Sequence, residues 1–329
     1  MRILFLPYTA PTWKQARYVG PGLHYALAKV FEDLGHTVVV RSTPVISTLP
    51  ELYRSGDFDQ VWADLLHIPD DLGRFIRSLA KIVVGIGAES WKSAYPQKME
   101  YCTHFLMLDP TDVTRVRSMG KPAMFWMPTI SMAGVREYKE PVVSTAVFCG
   151  RLYGPRAKML ASNEEYVQYA EYEISNRPEY AALEYFLTSG NVARPAIGGL
   201  TRGYTVLDYL ERRAREKSLE DSCDLMQRHV AVVNFPTVCG FFPDRVYRAL
   251  AVGTPVLSCW YSEEMQGMFE PGEGVMYYRS HGQLQVHIMN LRDNPEFRRQ
   301  VGEAGQRRLL KDYMLEFWVK HALEWADVN

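Results

Sequence analysis

Nowhere in its 329 residues does this chain carry an apolar run near the ~18 residues that a membrane-spanning helix requires. The opening Arg2-Ile3-Leu4-Phe5-Leu6-Pro7 is charged and then apolar, like a secretory signal. Its apolar stretch is too short, meets Pro7 and has no small-residue cleavage site after it, so it reads as a first strand. The expected location is therefore cytoplasmic. Charge of one sign is not in surplus: 37 Lys+Arg stand against 38 Asp+Glu, a formal net charge of −1. That balance excludes a polycationic coat or histone-like binder and leaves room only for local basic grooves. Cysteine is scarce and scattered, with Cys102, Cys149, Cys223, Cys239 and Cys259 odd in number and nowhere in metal-knuckle or redox spacing. They read as reduced, mostly buried thiols. Repeats and low-complexity tracts are missing too.

What is present is alternation. Ile3 to Leu6, Val38 to Val40, Phe58 to Trp62, Ile82 to Val84, Phe105 to Leu108 and Ala123 to Trp126 are short apolar runs, as expected of parallel strands buried on both faces. Between the first two lies a helical stripe, Leu23, Leu27, Val30, Phe31 and Leu34, closed by Gly35 where a left-handed cap is wanted. Met127 to Pro141 lacks a period and reads as a linker. The alternation resumes at Thr145 to Cys149, Val230 to Phe235, Pro255 to Trp260 and Val275 to Tyr278. Residues 164–217 read as mostly helical, and Pro295 to Trp325 as amphipathic helix broken near Asp312. Repeated strand–helix–strand order with right-handed crossovers predicts two doubly wound α/β domains, 1–135 and 136–305, followed by a terminal helix over 306–329. A cleft between two such domains is the expected ligand site.

Two segments suggest what the ligand is. Gly150-Arg151-Leu152-Tyr153-Gly154-Pro155-Arg156 follows a strand directly, so two arginines five apart stand on a glycine-bearing loop at a carboxyl end. Together they suit the two phosphates of a nucleoside diphosphate. The run Cys239 to Trp260 places Pro243 as the first helical residue, Asp244 at the positive helix end and Val246, Tyr247, Leu250 and Ala251 on a buried stripe. Arg245 lies one turn in and is a further phosphate candidate. Free N–H groups at such a helix start attract an anion.

These segments resemble the GT-B glycosyltransferases, in particular the group 1-like and spore-maturation-like branches. The resemblance rests on Gly150-Arg151-Leu152 with Arg156, on Ala251 to Pro255 before a strand, on Phe269 to Gly272, and on Asp293 to Glu296 before an Arg-rich helix. It covers about 143–157 and 229–325, and earlier residues only as a fold. It implies a second domain that holds a nucleotide-diphosphate sugar, a first domain that holds the acceptor, and a last helix that returns to the first domain. The expected donor is a UDP-sugar, with no cofactor and no metal. Gly150, Arg151, Arg156, Pro243, Asp244, Arg245 and Arg248 are the expected donor-binding residues. The family's usual pair of glutamates is replaced by Gly240 and Arg248, and a guanidinium cannot accept from hydroxyls. A catalytically inactive nucleotide-sugar-binding scaffold is therefore the alternative function, and an epimerase acting on the donor alone a third.

For the base that takes the acceptor's proton, Glu89 in Gly85-Ile86-Gly87-Ala88-Glu89-Ser90 is expected past a strand end, with Asp64, His67 and His24 as rivals. The acceptor is expected to be a glycan or a modified nucleic-acid base such as a hydroxymethylated pyrimidine. For the latter, Arg194, Arg202, Arg212, Arg213, Arg215 and Lys217 are the densest basic supply. Asp57-Phe58-Asp59 imitates a metal-binding Asp-x-Asp but precedes a strand and reads as a turn. Tyr166, Tyr169, Tyr172, Tyr180, Tyr185 and Phe186 read as core.

Overall fold

The computed structural model describes residues 1–7, 23–65, 68–87, 91, 95–127, 129–150, 152, 154–170, 178–189, 205–236, 241–259 and 263–328. The chain forms two compact units, each built on its own parallel sheet. The α-helices of six or more described residues are α1 (Leu23–Asp33), α2 (Gly73–Ser78), α3 (Pro110–Ser118), α4 (Arg156–Ala161), α5 (Pro178–Ser189), α6 (Val206–Gln227), α7 (Asp244–Ala251), α8 (His281–Asp293), α9 (Pro295–Asp312) and α10 (Leu315–Val328).

The first unit carries β1 (Arg2–Leu6), β2 (Thr37–Val40), β3 (Gln60–Asp64), β4 (Ile82–Gly87), β5 (His104–Met107) and β6 (Ala123–Phe125) in the order β2-β1-β3-β4-β5-β6, parallel throughout. Leu4 lies opposite Val39 on one side and Val61 on the other, and all three are buried. Each such side chain contributes about 1.5–3 kcal/mol on leaving water. Gly35 takes φ +83° and closes α1 through an N–H bond to Glu32 O, so its reading as a cap holds. Leu34, expected on the buried stripe, lies beyond the last helical turn and is exposed.

The third strand starts two residues later than the apolar run. The Asp57 carboxylate accepts from Arg54 N–H at 2.7 Å, and the Asp59 carboxylate from Arg2 N–H at 2.6 Å. Both therefore stabilise the turn, and Phe58 packs into the core from this turn, not from a strand.

The second unit carries β7 (Ala146–Cys149), β8 (Val167–Ala170), β9 (Val232–Asn234), β10 (Val256–Cys259) and β11 (Val275–Tyr278) in the order β11-β10-β9-β7-β8, again all parallel. Strand β8 corrects the helical reading of 164–217. It is an edge strand with Gln168 and Tyr169 outward, so it lacks the apolar signature of its neighbours. Of the aromatics there, Tyr180 is buried as expected, whereas Tyr185 is 63 % exposed and is not core. Tyr172 lies outside the described residues, as does the side chain of Phe186.

The units are not two consecutive stretches. The first comprises Met1–Met127, Ile174–Lys217 and Trp318–Asn329; the second comprises Pro128–Glu173 and Ser218–Phe317. A division at 135/136 and at 305/306 therefore differs from the compact units on both sides. Within the first unit the reason is specific. Asp208, fully buried, accepts from Ser42 N–H at 3.0 Å and from Thr205 Oγ1 at 2.7 Å, while Arg212 pairs with Glu32 at 3.2 Å. At the chain's end, Trp318 meets Phe125 edge-on at 6.0 Å, and Asp327 accepts from Gln60 Nε2 at 2.7 Å.

Four of the five cysteines are described, and all four are buried free thiols. Burial pushes Cys102 up to about 12, and Cys149 and Cys223 up to about 11. Reaction requires the thiolate. These three are expected to resist a thiol-specific reagent at neutral pH in the folded protein and to react fully in denaturant. Mass mapping of the labelled peptides checks it, and native labelling at any of them would contradict the burial.

Candidate functional site at the carboxyl edge of the second sheet

Strand order reverses direction between β7 and β9, since β8 lies on one side of β7 and β9 on the other. Beyond the carboxyl ends of strands at such a switch point, crossovers depart to opposite faces and leave a crevice. Three arginines converge on that edge from α4 and α7.

Arg245 is 6 % exposed and reaches both strand ends. Its Nε donates to Cys149 O at 2.8 Å, its Nη1 to Asn234 Oδ1 at 2.8 Å, and the guanidinium stands 5.3 Å from the Phe148 ring centre. Its Nη2 points at Gly150, where a Cβ would lie only 2.8 Å away. Gly150 itself takes φ +152°, a conformation L side chains rarely adopt, so glycine is required here on two counts. Among the described residues, no carboxylate lies within ion-pair distance of Arg245 and no acceptor meets Nη2. With only neutral hydrogen-bond partners, and with Asp244 acting on it through the local field and not in contact, the guanidinium retains donors and charge for whatever enters beside Gly150.

Arg248, three residues on, is different. It is 2 % exposed, donates to Ser222 Oγ on α6 and pairs with the Asp244 carboxylate at 3.1 Å. The position where the resembling family has a hydroxyl-accepting glutamate is thus occupied by a cation tied to its own helix. Asp244 is 40 % exposed. Desolvation pushes its carboxyl upward, but Arg248 and then Arg245, with the Arg245 backbone N–H, outweigh it and hold the group below its ordinary value. The sign follows: a depressed carboxyl contributes stability above its unfolded pKa of about 3.9 and loses it as pH falls through the lower folded value. The stability gap between the natural chain and Asp244→Asn is expected to be full from pH 5 to 7 and to close below about pH 4. Denaturant titrations across that range measure it; a gap that widens in acid would refute the pairing.

Arg156, expected to grip phosphate, opens α4 and is 1 % exposed. Its Nε donates to Pro236 O at 2.9 Å, just past β9, and its guanidinium stands 5.7 Å from the same Phe148 ring. Pro243 is the N-cap of α7 and not its first helical residue: at φ −71° and ψ 161° it is extended, and the helix begins at Asp244. The expected stripe Val246, Tyr247, Leu250 and Ala251 is buried, but so is every residue from Arg245 to Ala251. On one side α9 presses against the turn that follows α7. A cavity of about 290 Å³ opens past the ends of β9, β10 and β11, lined by Pro236, Cys259, Tyr278, Met159 and the start of α8.

Of the other expected site residues, Arg151, Glu89, His67 and Gly240 lie outside the described residues, as does the side chain of His24. Asp64 is buried at the end of β3. Among the expected basic residues, Arg194 and Arg202 lie outside the described residues. Arg212 and Arg213 pair with Glu216, and Arg215 with Glu211. Sequence reasoning missed Asn234, Ser258, Ser222 and Phe148. The first two carried a legible signal, a polar side chain inside a run apolar on both sides.

Among the described residues no set of three or more His, Cys, Asp or Glu gathers as metal ligands, and no helix is long and apolar enough to cross a membrane. Residues 191–324 match the model of the family described as "Glycosyl transferase-like". No curated protein matches the sequence. In fold, the chain is similar to sucrose-phosphate synthase from Thermosynechococcus elongatus, at 12% identity and a TM-score of 0.58 over 99% of this chain and 98% of that one. It is also similar to HepE of Anabaena, in a crystal structure in complex with UDP-glucose, at 11% identity and TM-score 0.56 over the whole of both chains. The glycosyltransferase of Rickettsia africae matches at 9% identity and TM-score 0.55 over 99% of this chain and 98% of that chain. The chain shares the GT-B fold of these solved structures, two units each built on a parallel sheet.

Proposed function

From a chain with the GT-B fold whose residues 191–324 match a glycosyl transferase-like family, we propose a glycosyltransferase that moves a sugar from a nucleotide-diphosphate sugar to an acceptor hydroxyl. The observation that carries this reading is Arg245, a buried guanidinium with neutral partners at the switch point of the second sheet. In the reaction, the bond between the sugar's anomeric carbon and the β-phosphate oxygen breaks, and its electron pair leaves with the diphosphate. The acceptor oxygen bonds to the anomeric carbon and gives its proton to a base. Arg245 stabilises the charge that builds on the departing diphosphate, which is where a preorganised cation in a dry site lowers the barrier most. Arg151 adds a second cation, and Arg156 supports the edge from the end of β9. Glu89 is the proposed base. No step calls for a metal.

The proposed donor is a UDP-sugar and the proposed acceptor a glycan hydroxyl. A hydroxymethylated pyrimidine in DNA would need a basic face, and the pairing of Arg212, Arg213 and Arg215 with glutamates takes that charge away. The test has two stages. A ligand that binds only the folded state raises the melting temperature by mass action. UDP, GDP, ADP, CDP and dTDP should therefore separate, with one standing clear of the rest. The matching nucleotide sugar is then incubated with glycan acceptors and diphosphate release is followed. Stabilisation without release across the acceptors would favour the inactive scaffold, and a flat thermal response to every diphosphate would sink the donor site.

A further inference from the structure

Buried arginines are ordinarily held by a carboxylate, as Arg248 is by Asp244. Arg245 is held by an amide instead, and that amide is itself fixed. Asn234 and Ser258 are both fully buried on neighbouring strands, paired in register. Ser258 Oγ donates to Cys259 O at 3.1 Å, so its proton is committed and its lone pairs face Asn234. Asn234 Nδ2 donates to that oxygen at 3.0 Å, which leaves Oδ1 turned toward Arg245 Nη1 at 2.8 Å. The backbone carbonyl of Asn234 accepts from Tyr278 Oη at 3.2 Å, which holds the residue's main chain in place. The direction of every hydrogen bond along Cys259, Ser258, Asn234 and Arg245 is therefore set by the first.

We infer that Asn234 and Ser258 form a neutral positioning relay, which aims Arg245 at the space beside Gly150 without cancelling its charge, so that the charge is kept for the donor's diphosphate. The inference rests on the reading of this edge as a nucleoside-diphosphate site. A carboxylate of the same shape at position 234 would hold the guanidinium at least as firmly, yet it would compete with the ligand and could not donate to Ser258. Choice of amide over acid is thus the feature that separates an arginine kept for ligand from one kept for structure.

Asn234→Asp tests this directly, with affinity for UDP and for inorganic pyrophosphate measured by calorimetry beside the melting temperature. The expected result is a melting temperature within a few degrees of the natural chain and an affinity for both ligands lower by about tenfold or more. The slope of log affinity against log salt concentration should flatten as well, because one fewer cation meets the ligand. A residue that served only the fold would not move that slope. Affinity within twofold of the natural chain, at an unchanged slope, would overturn the relay while leaving the site itself standing. A natural chain that binds neither UDP nor pyrophosphate would overturn the site and the relay with it. If Asn234→Asp does not fold, Ser258→Ala decides: it frees the amide to turn, and a loss of about threefold to tenfold is expected. No loss there would count against the relay.

Discussion

Arg245→Met is expected to lower nucleoside-diphosphate affinity by about 10- to 100-fold and, because it leaves the buried Asn234 Oδ1 and Cys149 O without their donor, to cost about 1–3 kcal/mol of folding stability as well. Methionine fills a similar volume over the Phe148 ring and removes a charge that no carboxylate contacts directly among the described residues. Hydrogen bonds to a charged partner are worth about 1.5–3 kcal/mol each, and 1.4 kcal/mol is a factor of ten in binding. The control is Arg248→Met, which leaves Asp244 and Ser222 without their partner. That change should cost about 1–3 kcal/mol of folding stability and alter affinity by less than threefold. The two arginines sit on one helix three residues apart and differ in what opposes their charge. Calorimetry with UDP separates them, with thermal melts checking that both variants are folded at the assay temperature; an affinity loss confined to Arg248→Met would reverse the assignment.

Gly302→Ala is expected to destabilise the second unit by about 3 kcal/mol, near the upper end of what overpacking a core costs. A Cβ at position 302 would fall 1.9 Å from Gly253 O. That oxygen is backbone, in the turn between α7 and β10, where Gly253 holds φ +70° with Tyr138 packed against it. Neither partner has a flexible end that can swing aside. Three residues on, a Cβ at Gly305 would fall 2.4 Å from the Cα of Gly274, so α9 meets the turns on both sides of β10 at backbone distance. Because α7 carries Arg245 and Arg248, a displaced α9 should also weaken diphosphate binding. A melting temperature lower by less than about 3 °C would show that the contact yields. Gly282→Ala on α8, with open space around it, is the matched control and should change little.

Particular residues show what was legible beforehand and what was not. The strands of both sheets announce themselves because a parallel strand covered on both faces must be apolar throughout, and Val38 to Val40 and Val275 to Tyr278 are. Strand β8 is hidden for the converse reason: unlike β2 and β11, which also lie at sheet edges but are covered on their faces, it leaves Gln168 and Tyr169 exposed, and the run loses its signature. Helix ends with a chemical marker were readable, as at Gly35. Pro243 was displaced by one residue because its fixed φ suits the first helical position and the cap alike, and ψ alone separates them. For the site, the resemblance picked out the loop after β7 and the helix after β9, and local spacing placed Arg156 and Arg245 at strand ends. Their partners were invisible. A guanidinium's role depends on whether a carboxylate lies within about 4 Å, and Asn234 and Ser222 lie eleven and 26 residues from the arginines they hold.

The sequence by itself determined the class of fold, the two parallel sheets and the stretch of chain that carries the basic edge, because hydrophobic period and strand–helix order are local properties that each segment displays alone. Only the tertiary structure decided which segments share a unit. The stretch Ile174–Lys217 joins the first unit although it lies within the second in sequence, since the Asp208 carboxylate finds its donor at Ser42. It also decided which arginine keeps its charge. Both are pairings between residues far apart in the chain, fixed by which polar group can be buried only against which other, and no local pattern encodes that choice.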